Sequence, residues 1–407
     1  MLELWVWIGA KRVGTFSFER AAAGDEYRFE YVADATPGDL VSLTMVPGLH
    51  GRTFDFRSFP APFDMILPEG ERRARIEEAR KILRTDAFSL LGYVGANPVN
   101  RVRFLPPGER HDAHVPELPT PREIANCTEG RALFRRLVDE LELRQGIAGV
   151  QPKILGRVAD AAKPSLARRN YRGSTHILKA STTRFPFLAT NEYICQEVFR
   201  AAGLTVPENT LSADGQLLLV KRFDVQDDGS VLGFEEAAGL MGERTEGKYL
   251  RDYGSMFSQL ARFVPPANEL RTRKELMKAL LLNTMLGNGD AHLKNFGVVY
   301  STYEDARLAP FYDCVSTLAY IGDDVPALAL SFEFYSKAWW PPSRLAEFAD
   351  RYGGMTPRDL KRTIEQAKAA IAAGLRLVET YSKALPDFAK VGAGMARVMT
   401  ERLALFD

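Results

Sequence analysis

The chain opens with Leu2, Leu4, Val6 and Ile8 alternating with Glu3, Trp5 and Trp7. That is the two-residue period of a strand with one buried face. A turn at Lys11-Arg12 leads into VGTFSF, YRFEYV continues the alternation, and VSLTMV reads as a further strand ended by Pro47 and Gly48. From Glu69 the period lengthens, with Ile76, Ala79 and Ile82-Leu83 spaced for one face of a helix. Its charges are of both signs (Arg72, Arg73, Arg75, Glu77, Glu78, Arg80, Lys81) and predict a solvated face, not a nucleic-acid stripe. Pro106, Pro107, Pro116, Pro119 and Pro121 then exclude a continuous helix and predict a linker. His111 and His114 lie inside it with no further ligand at metal-site spacing, so they read as loop histidines.

Beyond the prolines, RALFRRLVDELEL predicts a helix over 130–143, followed by the glycine-containing loop QGIAGVQPKIL. THILKA reads as a strand, and NEYICQEVFRAAGL as a helix with Ile194, Val198, Ala201 and Ala202 on one side. LLLVKRFDV reads as a buried strand leaving the core. From about residue 250 most segments are helical in period, including KELMKALLLNTML and RDLKRTIEQAKAAIAAGLRLVETY. A β-containing half followed by a helical half is the order of elements in a two-lobed kinase.

Composition narrows the class. The 407 residues are 46% hydrophobic and 26% charged, which excludes a mostly disordered or fibrous chain and predicts two or three folded units. A net charge of +1 removes the electrostatic footprint of a dedicated nucleic-acid binder. Cys127, Cys195 and Cys314 are too few and too scattered for a disulfide framework and fit a reducing compartment. With no signal-peptide layout and no apolar run of membrane-spanning length, the expectation is a soluble, cytoplasmic protein without a membrane partner.

The densest chemistry is Gly287-Asn288-Gly289-Asp290-Ala291-His292-Leu293-Lys294-Asn295, a tight polar turn directly after an apolar helix. Phosphoryl transfer to a hydroxyl needs a carboxylate beside the attacking oxygen and an oxygen ligand on the nucleotide's Mg²⁺. In protein kinases these are an Asp and an Asn five residues later, the spacing of Asp290 and Asn295. Asp and Asn are also ordinary turn residues. Asp313, in Pro310-Phe311-Tyr312-Asp313, stands 18 residues beyond Asn295, where a second metal-binding carboxylate would fall; it could equally be a loop Asp beside two aromatics. Lys179 closes the apolar strand THILK, and the helix that follows carries Glu192 and Glu197. Either acid could hold the lysine against nucleotide phosphates; Glu192 is the first choice. Backbone N–H groups of the loop Gly146–Lys153 could cradle phosphates, although it matches neither G-x-x-x-x-G-K-[ST] nor G-x-G-x-x-G.

In this order the segments VWIGAKRVGTFSF, FDMILPEGERR, IAGVQPK, THILK, VKRFD, GNGDAHLKN and FYDCVST resemble the HipA family, bacterial serine/threonine kinases acting as toxins of toxin–antitoxin pairs. The D-x-H-x-x-N loop also looks like that of lipid kinases. The resemblance implies an α+β fold: a two-lobed kinase-like core with a helical C-lobe and an N-terminal α/β subdomain. The expected division is 1–110 as N-terminal subdomain, 111–122 as Pro-rich linker, 123–225 as N-lobe and 226–407 as C-lobe. It implies ATP and Mg²⁺ as cofactors, Asp290 as catalytic base with His292 supporting the loop, and Asn295 and Asp313 as metal ligands. Lys179, with Gly149, Val150, Gln151 and Lys153 of the covering loop, would meet the phosphates; Lys221, Phe223 and Asp224 would meet the adenine side. Implied partners are a helix-turn-helix (HipB-like) antitoxin, operator DNA through that complex, and a protein substrate; family substrates include aminoacyl-tRNA synthetases. A co-repressor without catalysis, or a small-molecule or lipid kinase, are the alternatives. The sequence departs from the family at Gly146, where many members carry an autophosphorylated serine, and 131–164 holds no Ser or Thr.

Overall fold

The computed structural model describes every residue except 23, 84–85, 97, 110–114, 146–152, 159–172, 322–327, 333–341 and 407. The alternating N-terminal pattern folds as expected into antiparallel strands β1 (Leu2–Ile8), β2 (Lys11–Ala21) and β3 (Gly24–Tyr31). With β4 (Thr53–Phe56) and β5 (Val102–Leu105) they form a five-stranded sheet in the order β4-β3-β2-β1-β5. The first turn falls at Gly9-Ala10, not at Lys11-Arg12: Lys11 already pairs with Ile8, and Gly9 has φ +58°. A two-residue hairpin needs that left-handed conformation, which glycine supplies without strain. One face of the sheet buries an aromatic cluster in which Phe16, Phe63 and Phe104 meet edge to face at 4.8–6.2 Å.

Two expectations fail in this subdomain. VSLTMV is not a strand. Its backbone turns, and its polar positions are committed elsewhere: Glu235 accepts from Ser42 Oγ and from Leu43 N, both at 2.6 Å, and Val41 N donates to Tyr31 Oη. The helix after Glu69, α1 (Gly70–Arg80), stops before Ile82 because Lys81 turns left-handed at φ +53°. Ile76 is buried, but Leu83 is 72% exposed.

The second sheet runs β6-β7-β8-β10-β9. Its strands are β6 (Glu117–Leu118), β7 (Lys153–Val158), β8 (His176–Ala180), β9 (Asn209–Leu211) and β10 (Leu217–Lys221). Part of the Pro-rich stretch is therefore taken into a sheet edge, where Arg157 N donates to Pro116 O. Helices α2 (Gly130–Gln145) and α3 (Leu188–Ala201) flank this sheet.

After residue 221 the chain is mainly helical, as the 3.6-residue period predicts. α4 (Tyr253–Arg262), α5 (Pro266–Leu286), α6 (Pro357–Ala384) and α7 (Ala389–Leu403) pack around a large shared core. A small sheet of β11 (Gly233–Glu236), β12 (Gly297–Tyr300) and β13 (Arg307–Leu308) carries the loops of the cleft. Among the described residues no helix is long and apolar enough to cross a membrane.

Candidate active site

A cleft of about 760 Å³ runs between the second sheet and the helical half, with residues of the N-terminal subdomain at one side. Lys179 reaches it from the end of β8. Its ammonium is buried, 2.5 Å from Glu192 Oε1 on α3, and also contacts the Asp313 carboxylate. Glu197, the other acid considered, pairs instead with Arg200. Burial opposes the charge on Lys179, but Asp313 and Glu192 outweigh it and raise its pKa. Burial likewise works against ionised Asp313, yet the fields of Lys179 and Lys153 hold that carboxyl down at about 2. The backbone of Asp313 is left-handed, φ +52°, a conformation Asp tolerates better than most residues.

Opposite them, α5 ends at Gly287, whose φ of +66° provides the helix stop. The following loop is closed on itself: His292 N and Asn295 Nδ2 both donate to the Asp290 carbonyl, at 2.8 and 2.9 Å. Asn295 keeps its amide oxygen as an acceptor. The Asp290 side chain is half exposed and accepts from Tyr249 Oη at 2.5 Å. His292 Nε2 lies 3.9 Å from Asp290 Oδ1, and the imidazole stands edge-on to the Tyr249 ring at 5.0 Å. Burial lowers the His292 pKa in spite of Asp290 nearby, so the ring is neutral at pH 7.

The segment joining the two halves lines the cleft with Phe223, which stacks on Tyr312 at 5.8 Å and meets Phe234 edge-on at 5.2 Å. The other two expected residues here, Lys221 and Asp224, also line the cleft, with their side chains in ion pairs. Lys221 Nζ lies 3.1 Å from Glu208, and Asp224 is buried in a two-point ion pair with Arg222. Lys153 is exposed and begins β7, directly opposite Lys179 on β8. Gly149, Val150 and Gln151 lie outside the described residues, as do Gly146, His111 and His114.

Sequence reasoning does not find Glu69, Lys248, Tyr249, Glu236 or the aromatic partners Phe234 and Tyr312, all of which line the cleft. Lys294 is inside the recognised loop, but nothing in its local sequence reveals that it is buried between Glu236 at 2.7 Å and Glu69 at 3.2 Å.

Two lobes joined by residues 221–224, a strand lysine paired to a helix acid, and an Asp/Asn loop facing a second Asp define a protein-kinase-like fold. The chain belongs to the HipA family of kinases: residues 145–375 match the HipA-like C-terminal domain and residues 4–105 the HipA N-terminal domain. It is 24% identical to the serine/threonine-protein kinase toxin HipA of Shewanella oneidensis, over 88% of this chain and 85% of that one. It is 28% identical to the provisionally named kinase Y4mE of Sinorhizobium fredii, over 95% and 94%. Its fold matches the solved structure titled as the Shewanella oneidensis HipA, HipB and operator DNA complex, with a TM-score of 0.70, 21% identity, and coverage of 99% of this chain and 96% of that one.

Proposed function

We propose that this protein is an ATP- and Mg²⁺-dependent serine/threonine protein kinase and the toxin of a toxin–antitoxin pair. The observation that carries the reading is the Lys179–Glu192 ion pair facing Asp313 across the cleft from Asp290 and Asn295. Lys179 binds the nucleotide phosphates, and the backbone of 221–224 with the Phe223 ring receives the base. Asp290 accepts the proton of the acceptor hydroxyl, while neutral His292 supports its loop.

No three His, Cys, Asp or Glu gather as a metal cage among the described residues. Mg²⁺ needs none, since it takes one or two protein oxygens and completes its shell with phosphates and water. The Asp313 carboxylate, ionised to about pH 2, and the Asn295 amide oxygen fit that demand and would hold it. A bound Mg²⁺ would neutralise charge on the phosphate oxygens.

A near-neutral chain has little affinity of its own for DNA. A HipB-like antitoxin supplies it, as the partners named in the Shewanella complex suggest. The intact set Lys179, Asp290, Asn295 and Asp313 speaks against a purely non-catalytic co-repressor. The substrate is a cellular protein, and the family's known substrates include aminoacyl-tRNA synthetases.

Purified protein incubated with labelled ATP and a lysate tests this. Label on serine or threonine of a lysate protein, lost with EDTA or in Asp313→Ala, is the expected result. Label only in the lipid or small-molecule fraction, or none, overturns it.

A further inference from the structure

Glu69 belongs to the N-terminal subdomain, just ahead of α1, yet its carboxylate lies among catalytic-loop residues. Oε1 is 3.2 Å from Lys294 Nζ and Oε2 is 2.9 Å from Lys248 Nζ. Lys294 is only 8% exposed. A lysine normally leads its ammonium to water; this one is held by Glu69 and Glu236, both remote in sequence.

Each lysine hooks one end of the Asp290–Asn295 loop. Lys294 is next to Asn295, and its carbonyl accepts from Tyr312 Oη at 2.7 Å. Lys248 accepts from Leu293 N through its carbonyl and precedes Tyr249, whose hydroxyl is on the Asp290 carboxylate. One carboxylate from outside the kinase core therefore reaches the base through Lys248 and Tyr249, and the metal ligand through Lys294.

Resting on the kinase reading above, we infer that Glu69 is a positioning residue of the catalytic loop, so that the N-terminal subdomain completes the active site. Phosphoryl transfer depends on placement of the acceptor oxygen and phosphate, and an error of about 1 Å can cost on the order of 10²-fold. Loosening both ends of the loop should then slow transfer without emptying the nucleotide site, whose lysine, base pocket and second carboxylate do not touch Glu69.

The test uses the full-length protein with Glu69→Gln, Glu69→Asp and a control, Glu246→Gln. Glu246 also bridges the subdomains, 3.9 Å from Arg73, but touches none of the loop. In Glu69→Gln, kcat per folded molecule is expected to fall at least about tenfold. KM for ATP should stay within about threefold, and more Mg²⁺ should be needed for half-maximal rate. Glu69→Asp should recover part of kcat, and Glu246→Gln should match wild type. Wild-type kcat in Glu69→Gln, or a lowered melting temperature with kcat per folded molecule unchanged, overturns the assignment. An equal loss in Glu246→Gln overturns it too, because general loosening of the subdomains would then suffice. If the wild-type protein transfers no phosphate at all, the kinase reading fails first and this inference with it.

Discussion

Tyr249 Oη donates to Asp290 Oδ1 at 2.5 Å, which commits one oxygen of the loop's carboxylate and leaves the other for the acceptor hydroxyl in the proposed transfer. Burial, reinforced by that hydrogen bond, raises the tyrosine's pKa and keeps it a donor throughout the physiological range. A hydrogen bond to a charged group contributes about 1.5–3 kcal/mol. Tyr249→Phe is expected to lower kcat about tenfold while leaving KM for ATP near wild type. Steady-state kinetics on both proteins check it.

The two aspartates should fail in different ways. Asp290→Asn removes the proposed proton acceptor and is expected to cost on the order of 10²–10⁴ in rate with nucleotide binding retained. Asp313→Ala removes the proposed metal ligand and one of the two carboxylates on Lys179, so Mg·ATP affinity itself should fall. Titration with a fluorescent ATP analogue, with and without Mg²⁺, separates the two. Full phosphotransfer by Asp290→Asn would remove its assignment as base.

Glu235 ties the N-terminal subdomain to the core. Buried at the end of β11, it accepts from Ser42, Leu43 N and Tyr300 Oη at 2.6–2.7 Å. Glu235→Ala would strand those donors and is expected to destabilise the fold by about 3 kcal/mol. Burial lifts this carboxyl's pKa above its ordinary 4.5, despite the donors and Arg101. The folded state thus keeps the proton to higher pH than the unfolded chain. Its contribution is fully present below 4.5 and declines as pH rises towards the raised folded value. Glu235→Gln should flatten that part of the stability profile, as chemical denaturation across pH would record.

Gly146 offers no hydroxyl, and the first described hydroxyls downstream are poor substitutes. Ser174 is fully buried, with Oγ accepting from Arg222 at 2.7 Å, and Thr175 Oγ1 is engaged with Val158 N and His176. Phosphosite mapping after incubation with Mg·ATP is expected to find both unmodified. A stoichiometric phosphate on either, with loss of activity, would show that the segment opens.

The cleft's framework is legible because its elements are locally periodic. Lys179 ends an uninterrupted apolar strand, and Asp290 and Asn295 follow a glycine that stops an apolar helix. Choosing Glu192 over Glu197 requires the phase of α3, which starts at Leu188 and not at Asn191 where the pattern suggests. Alternation misleads at VSLTMV, since a buried turn bonded to a distant carboxylate shows the same spacing of apolar residues as a strand. Glu69, Lys248 and Tyr249 are invisible for a related reason: their partners lie far along the chain, and long-range ion pairs leave no period to read.

The register of the second sheet sets Lys153 directly across from Lys179. Opposed residues of neighbouring strands project from the same face, and like charges there repel. That repulsion is relieved at Lys179, whose ammonium is held by Glu192 and contacts Asp313, while Lys153 stands exposed. A polyanion lying between them would be drawn to both strands at once, so occupancy of the cleft and the pairing of β7 with β8 would be thermodynamically linked.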